Sequence, residues 1–133
     1  YLKVKKYLDK DDQKKRLANY LYYQNNLSSL NKIEIHKIKV DNSNAALSFP
    51  IFYKDRDKLH KFLIMNNCDV TKYFYRDCSS LEIFNEFKEI CSNSARACNE
   101  VILLPVYPGY SMTSIKKNID TIKSYFKNDN FKL

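Results

Sequence analysis

The chain has 133 residues, of which 44% are hydrophobic and 14% aromatic, and its formal net charge is +8. This length and composition predict a single domain, residues 1–133, with a substantial core. No apolar run reaches membrane-spanning length and no signal peptide heads the chain, so we expect a cytoplasmic protein without a membrane partner.

The first predicted element is a helix from Asp12 to Leu30, because its apolar residues recur at helical spacing. Its predicted inner stripe comprises Leu17, Tyr20, Leu21, Gln24 and Leu27. The run Tyr20–Tyr23 offers apolar groups around more than one face of this helix. We therefore expect part of that run to lie at an interface with another domain or another copy.

Two strands are predicted next. Ile33–Val40 alternates between apolar and polar residues, Asp41–Asn44 is a polar turn, and Ala45–Tyr53 is the second strand. Pro50 lies within that second strand. Because proline cannot donate a hydrogen bond to a ladder, it indicates an edge or a bulge.

The middle of the chain predicts two further helices and a short strand. One helix begins at Asp55 and closes at Asn66–Asn67, and Asp69–Phe74 forms the strand. Ser80 is predicted to cap the other helix. The inward-facing residues expected in these helices are Leu59, Phe62 and Leu63 in the first, and Leu81, Phe84 and Phe87 in the second.

The last third predicts a helix, a buried strand and a terminal helix. The first helix starts at Asn93, the strand is Val101–Val106 with Pro105 near its end, and Pro108–Gly109 is a turn. Ser111 is positioned to cap the terminal helix. Its expected buried residues are Ile115, Ile119, Ile122 and Phe126. Together the elements predict an α/β fold, a two-layer sandwich in which helices cover a small mixed sheet.

The cysteine and glycine content excludes several kinds of site. The four cysteines form no C-x-x-C pair and no tight cluster, so we expect reduced thiols rather than a disulfide framework or a metal site. Gly109 is the only glycine. A Walker loop or a dinucleotide fingerprint needs several glycines that bring backbone N–H groups close to phosphate, so neither is present.

The positive charge raises the question of a nucleic-acid partner. The lysines of the first helix are interleaved with aspartates, and those of the last helix lie opposite its isoleucines, as on a solvated helix face. The tyrosines form no RNA-binding signature. Nucleic acid is therefore disfavoured as a partner, and solubility or an anionic small substrate explains the charge equally well.

Four stretches, taken in order, are KKRLANYLYYQNNLSSL, FPIFYKDRDKLHKFL, NSARACNEVILLPVYPGYS and SIKKNIDTIKSYF. They resemble the C-terminal small domain of the DegT/DnrJ/StrS family, sugar aminotransferases of fold type I that depend on pyridoxal phosphate. The likeness covers nearly the whole chain. It rests on the ordered set of stretches, because no single motif among them is diagnostic.

The resemblance implies a parent enzyme larger than this chain. In such enzymes the large N-terminal domain supplies the Schiff-base lysine, the aspartate facing the pyridine nitrogen and the phosphate cup. Tyr1 is not an initiator methionine, so we expect a C-terminal fragment, inactive alone and without pyridoxal phosphate of its own. The implied partners are the large domain, a second copy in a homodimer, a nucleotide-sugar substrate and an amino donor such as glutamate.

The stretch DVTKYFYRDC is the best candidate for a functional surface, because the matching segment of the family helps to line the mouth of the active site. Tyr73, Tyr75 and Arg76 offer two phenols and a bidentate cation, which suit a donor carboxylate or a sugar-nucleotide phosphate. The chain has Tyr75 and Arg76 where a proline is common in the family. The alternative is that the aromatic residues pack on the core and Arg76 pairs with Asp77.

Other polar residues are predicted to be structural. His36 and His60 have no cysteine or carboxylate partner at ligand or triad spacing, and Arg56 and Asp57 are typical of charges at a helix start. One functional alternative to an aminotransferase fragment stays open. It is a stand-alone basic α/β module that binds nucleic acid or another anionic partner.

Overall fold

The computed structural model describes residues 10–38, 45–72, 76–78, 81–87 and 91–127. Its elements in chain order are helix α1 (Lys10–Leu27), strand β1 (Glu34–Ile35), strand β2 (Ser48–Phe52), helix α2 (Arg56–Met65), a 3-10 helix (Glu82–Phe87), helix α3 (Ser92–Glu100), strand β3 (Val101–Pro105) and helix α4 (Met112–Lys127). The predicted turn Asp41–Asn44 and the predicted cap Ser80 lie outside the described residues. Within the described ranges, no helix is long and apolar enough to cross a membrane.

The three strands form one sheet in the order β1-β2-β3, and both pairings are antiparallel. Thr71 adds a single antiparallel bridge to Leu103 on the free side of β3. This bridge is what the structure describes of the predicted strand Asp69–Phe74, whose last two residues lie outside the described ranges. The predicted α/β fold, a small sheet covered by helices, is confirmed, but every strand pairing among the described residues is antiparallel, so the sheet is not the mixed one that was predicted.

Strand β1 is shorter than predicted, and Pro50 supplies the physical reason. Leu103 makes both of its backbone hydrogen bonds to Thr71, at 2.8 and 3.2 Å. Leu103 and Pro50 therefore form a non-hydrogen-bonded pair of the antiparallel ladder. The backbone of Pro50 therefore faces the β1 side, opposite His36 in the β1–β2 register, where proline has no N–H to donate. The ladder stops there, and the His36 carbonyl accepts a hydrogen bond from the Tyr20 hydroxyl at 2.8 Å.

The core lies between one face of the sheet and helices α1, α2 and α4. Strand β2 contributes Phe49 and Ile51 to it, and β3 contributes Ile102 and Leu104. The core residues of the helices are Tyr20, Tyr23 and Leu27 of α1, Leu59 and Leu63 of α2, and Ile115, Ile119 and Ile122 of α4. Helix α3 packs on the opposite face, where the Arg96 guanidinium lies 5.7 Å from the centre of the Phe52 ring.

The inward face of helix α1 agrees with the prediction in part. Tyr20 and Leu27 of the predicted inner stripe lie in the core, and so does Tyr23, which the stripe left out and whose ring is stacked on Phe49 at 5.3 Å. The helix also ends at Leu27, because the chain turns immediately afterwards. Since Tyr20, Tyr23 and Leu27 follow spacings of 3 and 4, they form a stripe as regular as the predicted one.

The segment from Glu82 to Phe87 also differs from its prediction. It forms a 3-10 helix interrupted at Phe84, whose φ and ψ are −110° and 16°, and none of its six residues is buried. The predicted core residues Phe84 and Phe87 are 42% and 76% exposed. Side chains three residues apart lie on one face of a 3-10 helix, but the break at Phe84 interrupts that face.

The strand-to-helix corner before α4 follows the sequence closely. The Tyr110 N–H donates to the Tyr107 carbonyl at 2.9 Å across the predicted turn, and the Ser111 hydroxyl accepts the Ser114 N–H at 3.0 Å. The second contact is the predicted cap of the terminal helix. Left-handed backbone is found elsewhere, at Ala46 (φ 43°) and Asn67 (φ 55°).

A buried polar network braces the contact between α1 and α4. The Asn118 amide donates to the hydroxyls of Tyr23 at 3.0 Å and Tyr110 at 3.1 Å. The Asn19 amide donates to the carbonyl of Val106 at 3.3 Å. Helix α4 and the chain that follows β3 are thus both fixed to α1 by side-chain amides.

Candidate functional site

A concave apolar surface, here called the outer groove, runs along the sheet face opposite the core. It consists of two adjoining cavities of about 510 and 620 Å³ that share Leu47, Ser48 and Leu103. The groove follows from strand alternation. Because Phe49 and Ile51 point into the core, Ser48 and Pro50 point away from it into the groove.

One end of the outer groove carries polar groups. Asp69 and Thr71 line it together with Tyr107, whose hydroxyl donates to the Asp69 carboxylate at 3.5 Å. Asp69 is exposed and Tyr107 is partly so. The groove therefore has apolar side chains along its floor and a phenol and a carboxylate at its rim. This combination suits contact with a binding partner that presents both polar and apolar groups.

A charged cluster, here called the clamp, lies beside the Thr71 bridge and consists of Arg56, Asp57 and Lys72. The Asp57 carboxylate accepts hydrogen bonds from the Lys72 ammonium at 2.7 Å and from the Arg56 guanidinium at 3.2 Å. Arg56 also donates to the carbonyl of Cys98 near the end of α3. The hydrogen bond from Lys72, followed by that from Arg56, lowers the pKa of Asp57 below its usual value.

The clamp was only partly visible in the sequence. Arg56 and Asp57 were predicted to be a charge arrangement at a helix start, and Asp57 does lie in the first turn of α2. Nothing in the sequence distinguishes Lys72 from the other lysines. It lies 15 residues from Asp57, and only the return of the chain to the sheet at Thr71 brings the two side chains together.

Of the predicted site residues, Tyr73 and Tyr75 lie outside the described residues, and Arg76 is exposed. The Arg76 carbonyl accepts a hydrogen bond from the Cys78 thiol at 3.8 Å. His36 is exposed, while His60 is half-buried. Burial, followed by the charge of Lys72, lowers the pKa of His60. Among the described residues, no group of three histidine, cysteine or acidic side chains could hold a metal ion.

The sequence model of the DegT/DnrJ/EryC1/StrS aminotransferase family matches residues 6–123 of this chain. No curated protein matches this chain significantly.

Three of the solved structures with the same fold serve as examples. DesV of S. venezuelae aligns with a TM-score of 0.78 at 16% identity, over 86% of this chain and 32% of its own. Sugar aminotransferase CalS13 of Micromonospora echinospora gives 0.77 at 17%, over 86% and 31%. NtdA of Bacillus subtilis, solved with bound cofactor PMP, gives 0.74 at 18%, over 87% and 28%. The chain thus spans about a third of the length of the structures that it matches.

Proposed function

The chain belongs to the DegT/DnrJ/EryC1/StrS aminotransferase family, and from that premise we propose that it is the C-terminal part of a sugar aminotransferase dependent on pyridoxal phosphate. The reaction moves an amino group from an amino acid such as glutamate to a keto sugar carried on a nucleotide. The family match over residues 6–123 is the observation that carries the proposal. The fold match to sugar aminotransferases such as CalS13 supports it.

The described residues do not fit a site for pyridoxal phosphate. Among the lysines whose side chains the structure describes, only Lys72 and Lys123 are as much as half-buried, and Asp57 holds Lys72 at 2.7 Å. A lysine that binds the cofactor has to be desolvated and available. Gly109, which lies beside the Tyr107 ring, is the only glycine of the sequence, whereas a backbone cradle for phosphate uses several. We therefore place the cofactor, which supplies the electron sink for amino transfer, in the two thirds of the enzyme that this chain does not span.

We assign the outer groove to contact with that remaining part of the enzyme, and Tyr73, Tyr75 and Arg76 to the substrate. The groove is apolar and leaves Leu47 exposed at its centre, as a surface does when a partner covers it. The parent enzyme is proposed to be a cytoplasmic homodimer. In this arrangement the chain contributes recognition and closure of the site, while the rest of the enzyme contributes the chemistry.

The full-length protein is expected to bind pyridoxal phosphate and to transfer an amino group from glutamate to the sugar, whereas residues 1–133 alone are not. After pyridoxal phosphate is added and the excess is removed, the full-length protein should show the visible absorption band of the bound cofactor. Addition of glutamate should bleach that band. Reduction with borohydride followed by peptide mapping should find one labelled lysine outside residues 1–133. A single stoichiometric label on a lysine of this chain, with glutamate-dependent bleaching, would overturn the assignment.

Replacing Arg76 by alanine in the full-length protein is expected to lower the specificity constant about ten- to a hundredfold. The loss corresponds to one charge-assisted contact with an anionic substrate, worth about 1.5–3 kcal/mol. The measurement is steady-state kinetics with the sugar and the amino donor varied separately. Lys61→Ala, which removes an exposed cation from α2, is the control and should leave the constant unchanged. An unchanged constant for Arg76→Ala would return Arg76 to the solvated surface.

A further inference from the structure

We propose that two residues of the outer groove, Leu47 and Asp69, anchor the part of the enzyme that this chain does not span. Leu47 inserts into an apolar hollow of that part, and the Asp69 carboxylate pairs with a cation that it presents. The inference rests on the proposed function, because the partner is the rest of the same enzyme. It adds which side chains hold that partner and what chemistry has to face each of them.

Leu47 is a large apolar side chain that projects from the outer groove. It lines both of the adjoining cavities, yet it is 77% exposed. Exposed apolar surface that is bordered by polar groups marks an interaction surface, and covering it removes that surface from water. A projection between two hollows therefore gives a partner a defined point of contact.

The residue before Leu47 has a backbone conformation that alanine rarely adopts. Ala46 has a φ of 43°, in the left-handed region, and it belongs to the core with only 5% of its surface exposed. A residue other than glycine is strained in that region, and such strain persists only where the surrounding structure imposes it. Here the strained residue stays in the core while the next side chain is directed outward. A function for the exposed Leu47 accounts for this arrangement.

The outer groove excludes the positive charge of this basic chain. Among the described residues that line it there is none of the 23 lysines and arginines of the sequence, and Asp69 is the one carboxylate. Lysine is depleted in the centre of protein interfaces, because its ammonium is costly to remove from water. The lining therefore has the composition of a surface that another protein surface covers. A surface for nucleic acid or another polyanion needs cations instead.

Asp69 defines the chemistry of the partner at one end of the groove. Its carboxylate accepts a hydrogen bond from the Tyr107 hydroxyl at 3.5 Å, which uses one of several acceptor positions, and the residue is exposed. Once a partner covers this end, the carboxylate loses water and requires an opposite charge or further donors. A lysine or arginine supplies the charge and the donors together. The partner is thus expected to present a cation beside Tyr107.

A second copy of this chain is a poorer occupant than the rest of the enzyme. In a two-fold contact of groove against groove, each copy offers the other the same lining. Among the described residues, that lining has no lysine or arginine to pair with Asp69. The carboxylate would be covered without an opposite charge, which is costly.

The test incorporates a photo-crosslinking benzophenone amino acid at position 47 of the purified full-length protein. We expect a cross-link to a peptide outside residues 1–133, identified by mass spectrometry. The matched control is position 65, because Met65 is also apolar and 73% exposed but lies at the end of α2, away from the groove. It should give at most a tenth of the cross-link yield of position 47.

The cation opposite Asp69 is tested by charge reversal in the same cross-linking protein. Asp69→Lys should lower the yield from position 47 several-fold, because it places like charges together. Asp120→Lys reverses another exposed carboxylate, on α4, and should leave the yield unchanged. An unchanged yield in Asp69→Lys would overturn the pairing of Asp69 with a cation.

The remaining outcomes are equally decisive. A cross-link from position 47 to residues 1–133 of a second copy, equal yields from positions 47 and 65, or no cross-link at all would overturn Leu47 as an anchor to the rest of the enzyme. If the wild-type protein transfers no amino group, the proposed function fails, and the cross-link still decides what covers the groove. Should the protein with the benzophenone not fold, Leu47→Asp and Met65→Asp replace the probes. Amide hydrogen exchange of residues 45–53 should then accelerate several-fold in the first variant alone, and equal exchange in both would overturn the proposal.

Discussion

Replacing Tyr23 by alanine is expected to lower the free energy of unfolding by about 3–5 kcal/mol, as for other large aromatic residues removed from a core. Tyr23 is fully buried, and its ring stacks on Phe49 with the ring centres 5.3 Å apart. Its hydroxyl also accepts the Asn118 amide at 3.0 Å. The substitution therefore leaves a cavity and removes one of the two hydroxyl partners of a buried amide.

Urea unfolding monitored by circular dichroism checks this result. Tyr22→Ala is the matched control, since Tyr22 is the neighbouring tyrosine of the same helix but is only half-buried. Tyr23→Phe separates the two contributions, because it keeps the ring and loses only the hydroxyl, at about 1 kcal/mol. If Tyr23→Ala costs no more than Tyr22→Ala, then the face of α1 that packs on the sheet is not the one described above.

Raising the pH above 10 is expected to destabilise the fold, because the buried hydroxyls of Tyr20 and Tyr23 keep their protons where an unfolded tyrosine loses its own; Tyr23 alone contributes a slope that approaches about 1.4 kcal/mol per pH unit. Burial raises the pKa of both hydroxyls above the ordinary value of 10.0. Burial also raises the pKa of Tyr125, to about 12. The neutral phenols are thus strongly preferred in the folded state.

The sign follows from proton counting. Above pH 10 an unfolded tyrosine has lost its proton while a buried one keeps it, so the unfolded state binds fewer protons and stability falls as the pH rises. The contribution is fully present below pH 10 and is lost as the pH climbs through the raised values. Unfolding free energies at intervals between pH 8 and 11 give the slope directly. Tyr23→Phe should reduce that slope by about 1.4 kcal/mol per pH unit, and an identical slope in the variant would contradict the assignment.

Most helices of the fold could be predicted from the sequence because their signals are local. The spacing of Ile115, Ile119 and Ile122 and the serine cap at Ser111 identify α4 without reference to any other element. The signals for α2 are similarly local, with acidic residues at its start and Asn66 at its end. Such patterns predict a helix correctly because they depend on contacts within that one helix.

The errors came from contacts between distant parts of the chain. Two stripes of α1 are nearly equally apolar, and only the position of Phe49 determines that Tyr23 faces inward. Strand β1 is cut short by a proline in β2 rather than by its own residues. Phe84 and Phe87 look like core residues, yet none of the six residues of the segment that carries them is buried.

The candidate site likewise has residues that local patterns suggest and residues that only contacts between distant parts of the chain identify. The guanidinium of Arg76 makes it a candidate for binding an anionic substrate, and its role with Tyr73 and Tyr75 stays a prediction. Lys72 could not be chosen at all, because its partner Asp57 is remote in the sequence and lysine is common throughout this chain. A local pattern can identify a suitable side chain. It cannot tell which of many similar cations will be covered and paired.

Pro50 in β2 also affects the association of molecules of this protein with one another. Among the described residues, the side of β2 that faces away from β3 is unpaired beyond the two residues that pair with β1, and such strand edges recruit strands from other chains into aggregates. At Pro50 that edge has no amide hydrogen to offer, so an incoming strand would lose a bond in the middle of its ladder. The residue that ends β1 therefore also protects the open edge against intermolecular β-pairing. Its replacement would be expected to show first as aggregation during refolding.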